Sequence, residues 1–194
     1  MLAPALDSLH AGGLNRWGVV NAEAYDDNAS EGLSSADLAP GTRSILVLAS
    51  GGTALWEDML EAMHLDQRRL TDEAHPLDAH VARLTDAAPM GGIGNQWFLA
   101  TATAPVQLDF RTLAVLAGIG SPSRLGLVID PELRTWIGLS AACIVDLLLS
   151  TSCPAQDVCD GCPAPCMSAC PAGALSSRQW DVATCASYHR DSTD

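Results

Sequence analysis

The segment Ser44-Ile45-Leu46-Val47-Leu48-Ala49 contains an unbroken apolar run, and turn-forming residues precede and follow it. A short continuous run of aliphatic side chains is typical of a strand that is buried on both faces, rather than of one with a solvated side. The segment therefore predicts a central strand of the main sheet, and the rest of the chain can be placed around it.

The junction that follows this strand is Ser50-Gly51-Gly52-Thr53, and it leads into a predicted helix over residues 54–63. A glycine-rich turn from a strand into a helix can surround an anion with backbone N–H groups, which makes Gly51, Gly52 and Thr53 candidate cofactor-binding residues. The alternative is a tight turn with Thr53 as the helix N-cap. The alternative is favoured, because a single Gly-Gly pair is a weak signal.

Strands and helices alternate along the first 150 residues. The predicted helices are 3–11, 54–63, 75–87 and 108–116, and the predicted strands are 16–22, 44–49, 96–102, 126–129 and 135–145. Residues 23–41 are expected to form a loop with one helical turn at 34–38. We expect the last four strands to share one central mixed sheet flanked by helices, which is an α+β fold. The predicted division is an α/β cofactor-binding-like domain at 1–150 and a small cysteine module at 151–194.

Four cysteines lie within twelve residues in the run Cys159-Asp-Gly-Cys162-Pro-Ala-Pro-Cys166-Met-Ser-Ala-Cys170-Pro171. Its spacing is C-x2-C-x3-C-x3-C-P, and the bacterial ferredoxin run differs only in having two residues between its second and third cysteines. The run predicts a 4Fe–4S cluster held by these four thiolates. Tetrahedral zinc and structural disulfides are the alternatives, since C-x2-C also begins many zinc sites.

The chain has three further cysteines. Cys185 is an alternative cluster ligand that would replace Cys166 or Cys170. Cys143 lies in an apolar strand and is interpreted as a small core residue. Cys153 precedes a proline in a loop and is either a free thiol or a spare ligand.

Composition limits the choice of partners. The chain has 194 residues, is 48% hydrophobic and carries a formal net charge of −13, with ten arginines and no lysine. Its apolar content is enough for a substantial core. The acidic balance argues against nucleic acid and against anionic membrane surfaces. We see no signal peptide and no apolar run of about 20 residues, so a cytoplasmic location is expected.

Several stretches, taken in order, resemble one family. They are 40–49, 116–120, 124–132, 159–175 and 181–188. The first resembles the "PGARSVLVLA" strand of the epoxyqueuosine reductases, and the last resembles their "DxxxCISY". The segment 116–132 is similar to one that these enzymes share with corrinoid reductive dehalogenases, and 159–175 resembles their "CxxCxxCxxxCPTGAL" module. The resemblance implies a nitroreductase-like α+β fold that cradles cobalamin, with a ferredoxin-like cysteine module beside it.

The chain also departs from this family at three places. The family's second cysteine run does not occur in these 194 residues, so two complete clusters are not expected. The acid of its "VDSAP" segment is replaced, with Ala102 or Thr103 in that position. Its "GWIGKN" segment corresponds to 121–126. Epoxyqueuosine reduction on tRNA is therefore not expected of this chain.

The sequence thus predicts an iron–sulfur redox protein related to cobalamin-dependent reductases, which passes electrons to a corrinoid or flavin bound in the α/β domain. Its expected partners are a redox partner protein or a small-molecule cofactor. The alternative is a non-catalytic electron carrier or cofactor-handling protein, in which a cluster or zinc has a structural role.

Overall fold

The computed structural model describes residues 2–65, 76–91, 93, 95–100, 108–175 and 180–185. The helices there are α1 (Ala3–Ala11), α2 (Ala22–Asp26), α3 (Ser35–Leu38), α4 (Ala54–Leu65), α5 (Pro76–Ala87), α6 (Phe110–Leu116) and α7 (Pro165–Ala169). The strands are β1 (Arg16–Asn21), β2 (Ser44–Gly51), β3 (Asn95–Leu99), β4 (Ser121–Pro122), β5 (Val128–Ile129) and β6 (Ile137–Val145).

The main sheet has the strand order β1-β2-β6-β3. The prediction of a buried central strand at 44–49 is confirmed, because β2 lies between two neighbours and residues 44–49 are all buried. All three strand pairings are antiparallel, with Val47 opposite Ala142 in the middle of the sheet. The α+β class is confirmed, but the sheet is antiparallel in the described part of the chain rather than mixed.

Helices cover both faces of this sheet. Ile45 and Val47 pack with Leu113 of α6 on one face, together with residues of α2. Leu46 and Leu48 point to the other face, where they pack against α1, α4 and α5. Because alternate side chains of β2 meet a core on each side, this strand has no solvated face and therefore no polar alternation.

The expectation that 126–129 joins the central sheet is wrong. Only Val128 and Ile129 form a strand, and this strand pairs with β4 in a separate two-stranded hairpin. The chain then turns away at Asp130, whose carboxylate Oδ1 accepts the N–H groups of Glu132 at 2.7 Å and Leu133 at 2.8 Å. An apolar run indicates a buried strand, but it does not indicate which strand becomes its partner.

The loop expected at 23–41 contains a helix, α2, that the sequence analysis missed. It begins directly after β1, and the Asn21 side chain caps it by accepting the Ala24 N–H at 3.1 Å. Tyr25 is buried in this helix; its hydroxyl donates to the Leu33 carbonyl and accepts the Asp109 N–H at 2.7 Å. The helical turn expected at 34–38 is confirmed as α3.

The other predicted helices and strands are present with small shifts of their ends. Residue 75 of the predicted helix 75–87 and residues 101–102 of the predicted strand 96–102 lie outside the described residues. The same holds for Thr103, so the position of the family's acid is not described. Within the described residues, no helix is long and apolar enough to cross a membrane.

Candidate metal centre

The segment that leads to the cysteines runs along the outer edge of the main sheet. The Ser152 N–H donates to the Val19 carbonyl at 3.0 Å, and the Val19 N–H donates to Ser152 Oγ at 3.0 Å. Just before it, the Leu149 N–H donates to the buried Ser44 hydroxyl at 2.9 Å. Ser152 thus satisfies both backbone groups of Val19 on edge strand β1, and it fixes the start of the cysteine segment to the rigid core.

A glycine at the end of α6 allows the same segment to approach closely. Gly118 has φ +71°, and a Cβ placed on it would lie 2.0 Å from the Cys153 carbonyl oxygen. No side chain larger than hydrogen fits at Gly118 unless α6 or the cysteine segment moves. The Cys153 thiol is exposed and is not in a disulfide.

The C-x2-C portion forms a turn. The Cys159 N–H donates to Asp157 Oδ1 at 2.8 Å, and the Cys162 N–H donates to the Cys159 carbonyl at 3.2 Å. Gly161 has φ +68° inside this turn, a conformation that glycine adopts without strain. The turn thus brings the first two cysteines of the run to one loop.

The second pair of cysteines lies on and after a short helix. Cys166 is in α7, and Cys170 is its C-cap residue. Cys159, Cys166 and Cys170 are partly exposed and Cys162 is exposed, and none of the four is in a disulfide. All four thiols are free in this structure.

The donor chemistry of the run fits a thiolate-bound metal, since four soft ligands lie within twelve residues at the surface. In the described part of the chain, no group of three or more His, Cys, Asp or Glu side chains is gathered into a metal-binding arrangement. The predicted ligand set remains a prediction.

The remaining cysteines differ in their surroundings. Cys143 is completely buried in β6, and burial raises the pKa of its thiol to about 12. A protonated core thiol is a poor metal ligand, which agrees with its interpretation as a small core residue. Cys185 is partly exposed, and its N–H donates to the Val182 carbonyl at 3.1 Å.

The β4–β5 hairpin is the second place where the cysteine module meets the α/β core. The Val158 N–H donates to Ser121 Oγ at 3.2 Å, and the Trp180 ring lies over Gly126, where a Cβ would come within 3.0 Å of it. Arg124 approaches the Met167 sulfur at 3.9 Å. Ser121 and Ser152 could not be identified from the sequence as contacts of the module, because a single serine does not indicate where it will lie in the fold.

The glycine turn after β2 uses its backbone donors within the protein. The Gly51 N–H donates to Asn15 Oδ1 at 2.7 Å, and the Gly52 N–H donates to the Trp136 carbonyl at 2.9 Å. The Thr53 hydroxyl donates to the Glu57 carboxylate at 2.8 Å. These contacts favour the tight-turn interpretation over an anion site at Gly51, Gly52 and Thr53.

The architecture is that of an α+β protein with an antiparallel sheet between helices and a cysteine module on one sheet edge. No family model matches the chain, and no curated protein matches it. Solved structures do match. The chain has the fold of epoxyqueuosine reductase: the enzyme from Streptococcus thermophilus superposes with a TM-score of 0.70 over 98% of this chain at 16% identity. The structure of an epoxyqueuosine reductase with a modified tRNA stem loop gives 0.67 over 95% at 18% identity.

The chain spans 58% and 55% of the length of these two structures. A B12-dependent reductive dehalogenase also matches, with a TM-score of 0.49 over 80% of this chain. The two epoxyqueuosine reductase structures confirm the fold that the sequence resemblance implies. Activity, cofactor and partners do not follow from a likeness at this level of identity.

Proposed function

We propose that this chain is an iron–sulfur redox protein in which Cys159, Cys162, Cys166 and Cys170 hold one 4Fe–4S cluster. In this proposal, electrons pass from the cluster to a corrinoid or flavin carried by residues 1–150. The observation that carries the proposal is the set of four surface thiols within twelve residues, on a segment joined to the core of a reductase-type fold.

The chain's own residues have distinct roles in this proposal. The four cysteines bind iron as thiolates, and the cluster supplies one-electron transfer when it is bound. The Asp157 side chain and Gly161 shape the first half of the loop. Ser152 and Gly118 hold the segment against β1 and α6, so that the module stays beside the α/β core.

A second candidate is a non-catalytic protein with a structural metal. The turn that joins Cys159 to Cys162 is equally suited to zinc, because a C-x2-C turn begins many tetrahedral thiolate sites. In that case the metal would stabilise the C-terminal segment, and the α/β core would carry no redox cofactor.

Titration of anaerobically purified protein with hydroxocobalamin or FMN, followed by gel filtration, separates the two candidates. The redox proposal expects one of these probes to stay with the protein. It also expects the probe to be reduced, and the cluster oxidised, when it is added to protein that was reduced with dithionite and then freed of excess dithionite, because dithionite itself reduces both probes. A Cys159→Ser/Cys162→Ser variant treated in the same way is the control, since it should bind the probe but hold no electrons to pass to it. Failure to retain either probe would instead favour the carrier or structural role.

A further inference from the structure

A cavity of about 380 Å³ lies between α6, the loop after α2 and the β4–β5 hairpin. Its volume is near the lower end of the range of about 300–1,000 Å³ that is usual for small-molecule sites. It is separate from the glycine turn after β2 and from the cysteine run. A ligand there would be compact, of the size of a small ring system.

The wall of this cavity is mainly apolar. Val115 and Leu116 of α6 face it from one side, and Pro122, Leu127 and Val128 of the hairpin line the other. Leu127 of the hairpin is 52% exposed. Apolar walls with few polar groups favour a ligand with an apolar body.

A cation lies among these apolar residues. One guanidinium nitrogen of Arg111 donates to the Gly126 carbonyl at 2.9 Å, which fixes the side chain across the gap between α6 and the hairpin. In the described part of the chain Arg111 forms no ion pair, so further N–H groups remain for a ligand.

The carboxylate of Asp109, which lines the same cavity, is already engaged in hydrogen bonds. Asp109 Oδ1 accepts the Thr112 N–H at 3.0 Å, and Oδ2 accepts the Ser30 hydroxyl at 2.9 Å. Burial by itself would raise the pKa of Asp109, but these hydrogen bonds and the Arg111 charge hold it below its usual value. Asp109 therefore acts as a charged helix cap, and Arg111 is the group that can select a ligand by its charge.

We propose that this cavity binds a small organic anion, with its apolar body between α6 and the hairpin and its carboxylate on Arg111. The site goes beyond the function proposed above, because it does not depend on whether the cysteine run holds iron or zinc. The same hairpin contacts the cysteine module, because Ser121 Oγ accepts the Val158 N–H and Gly126 lies against the Trp180 ring. An occupied cavity would therefore lie one hairpin away from the cysteines.

Isothermal titration of the purified protein with 2-naphthoate, and with the neutral 2-naphthamide, tests this site. We expect saturable binding of 2-naphthoate and at least about tenfold weaker binding of the amide, since a charge-assisted hydrogen bond is lost. Equal affinities for the two probes, or no binding of 2-naphthoate below about 1 mM, would overturn the proposal.

Two variants locate the bound probe. Arg111→Gln should weaken 2-naphthoate about tenfold and leave 2-naphthamide unchanged, whereas Arg43→Gln removes an equal charge outside the cavity and should change neither. Val115→Trp should fill the cavity and weaken both probes, with circular dichroism as the check on folding. An unchanged affinity in Arg111→Gln would contradict the assignment. Iron content measured on the same samples reports on the cluster independently.

Discussion

Asp130 is a buried carboxylate that connects the turn after β5 with Arg16 of β1. It accepts a hydrogen bond from Arg16 Nε at 3.0 Å, in addition to the N–H groups of Glu132 and Leu133. Arg16 also reaches the Glu132 carboxylate at 3.0 Å, but that carboxylate is 80% exposed. The two carboxylates therefore bind the same arginine, one of them buried and the other in solvent. Substituting each in turn compares a buried ion pair with an exposed one.

We expect Asp130→Asn to lower the free energy of unfolding by about 1–3 kcal/mol, because a buried charged acceptor is lost. Glu132→Gln should cost about 0–1 kcal/mol, since its ion pair is solvated. Urea unfolding at neutral pH measures both. Equal effects of the two substitutions would show that burial of Asp130 does not matter.

The difference in unfolding free energy between wild type and Asp130→Asn should depend on pH, because folding shifts the pKa of Asp130. Burial alone would raise the pKa, but hydrogen bonds from Leu133, Arg16 and Glu132 lower it below its unfolded value. A lowered folded pKa contributes stability at pH values above the unfolded pKa, and that stability is lost as the pH falls through the folded pKa. The stability gap between wild type and Asp130→Asn should therefore close below about pH 4.

Single substitutions can also show which cysteine is the fourth ligand of the cluster. Cys170 is in the C-x3-C-P end of the run, whereas Cys185 lies beyond it. We expect Cys170→Ser to lose the cluster and Cys185→Ser to weaken it only modestly. Cys143→Ala should keep its iron, because that thiol is in the core. Iron content and the reduced-state EPR signal measure all three variants; loss of iron in Cys185→Ser alone would reverse the assignment.

At the scale of elements, the contact between α6 and the cysteine segment depends on Gly118. Gly118→Ala should destabilise the protein by about 3 kcal/mol or more, since it adds a positive-φ alanine and a clash with the Cys153 carbonyl. Gly32→Ala is the control: its φ is +81° and no atom lies within 4 Å of the added Cβ, so it should cost about 1 kcal/mol.

Chemical denaturation measures both glycine variants. Equal losses of stability in Gly118→Ala and Gly32→Ala would show that the close approach of Gly118 to Cys153 does not contribute to stability. Gly118→Ala should also bind less iron than Gly32→Ala, because the start of the cysteine segment would be displaced.

The elements were predictable where local sequence decides the structure. β2 was recognised because both of its faces meet a core, and α1 because Gly12 and Gly13 end it. α2 was missed because five residues are too few for a helical period, and its cap, Asn21, is the last residue of a strand. The partner of β5 was predicted wrongly, since β5 pairs with β4 through the short turn at 123–127, and the apolar run does not indicate that turn.

The candidate site was predictable only in part. The spacing of the cysteines indicates thiolate chemistry by itself, without any assignment of helices or strands. The cavity at Arg111 was not predicted, because the apolar residues of α6 and of the hairpin do not indicate that a gap is left between the two elements. Ser152 gave no signal because its partner Val19 is 133 residues away in the sequence.

At the scale of the whole molecule, charge is the property that bears on a nucleic-acid partner. An epoxyqueuosine reductase with the same fold has been solved with a tRNA stem loop, whereas this chain carries a formal net charge of −13. We expect no specific binding of an anticodon stem loop, because an acidic surface repels phosphates. Fluorescence anisotropy with a labelled stem loop measures this, and micromolar binding that weakens linearly with log salt would contradict it.

The most direct measurement is the metal content of the anaerobically purified protein, together with its visible spectrum. We predict brown protein with about four iron atoms per chain and broad absorption at ~400 nm that bleaches on reduction. We also predict that Cys159→Ser/Cys162→Ser loses this iron while the sheet remains folded. Colourless protein that carries one tightly bound zinc per chain, with no iron after anaerobic reconstitution, would contradict the iron–sulfur assignment.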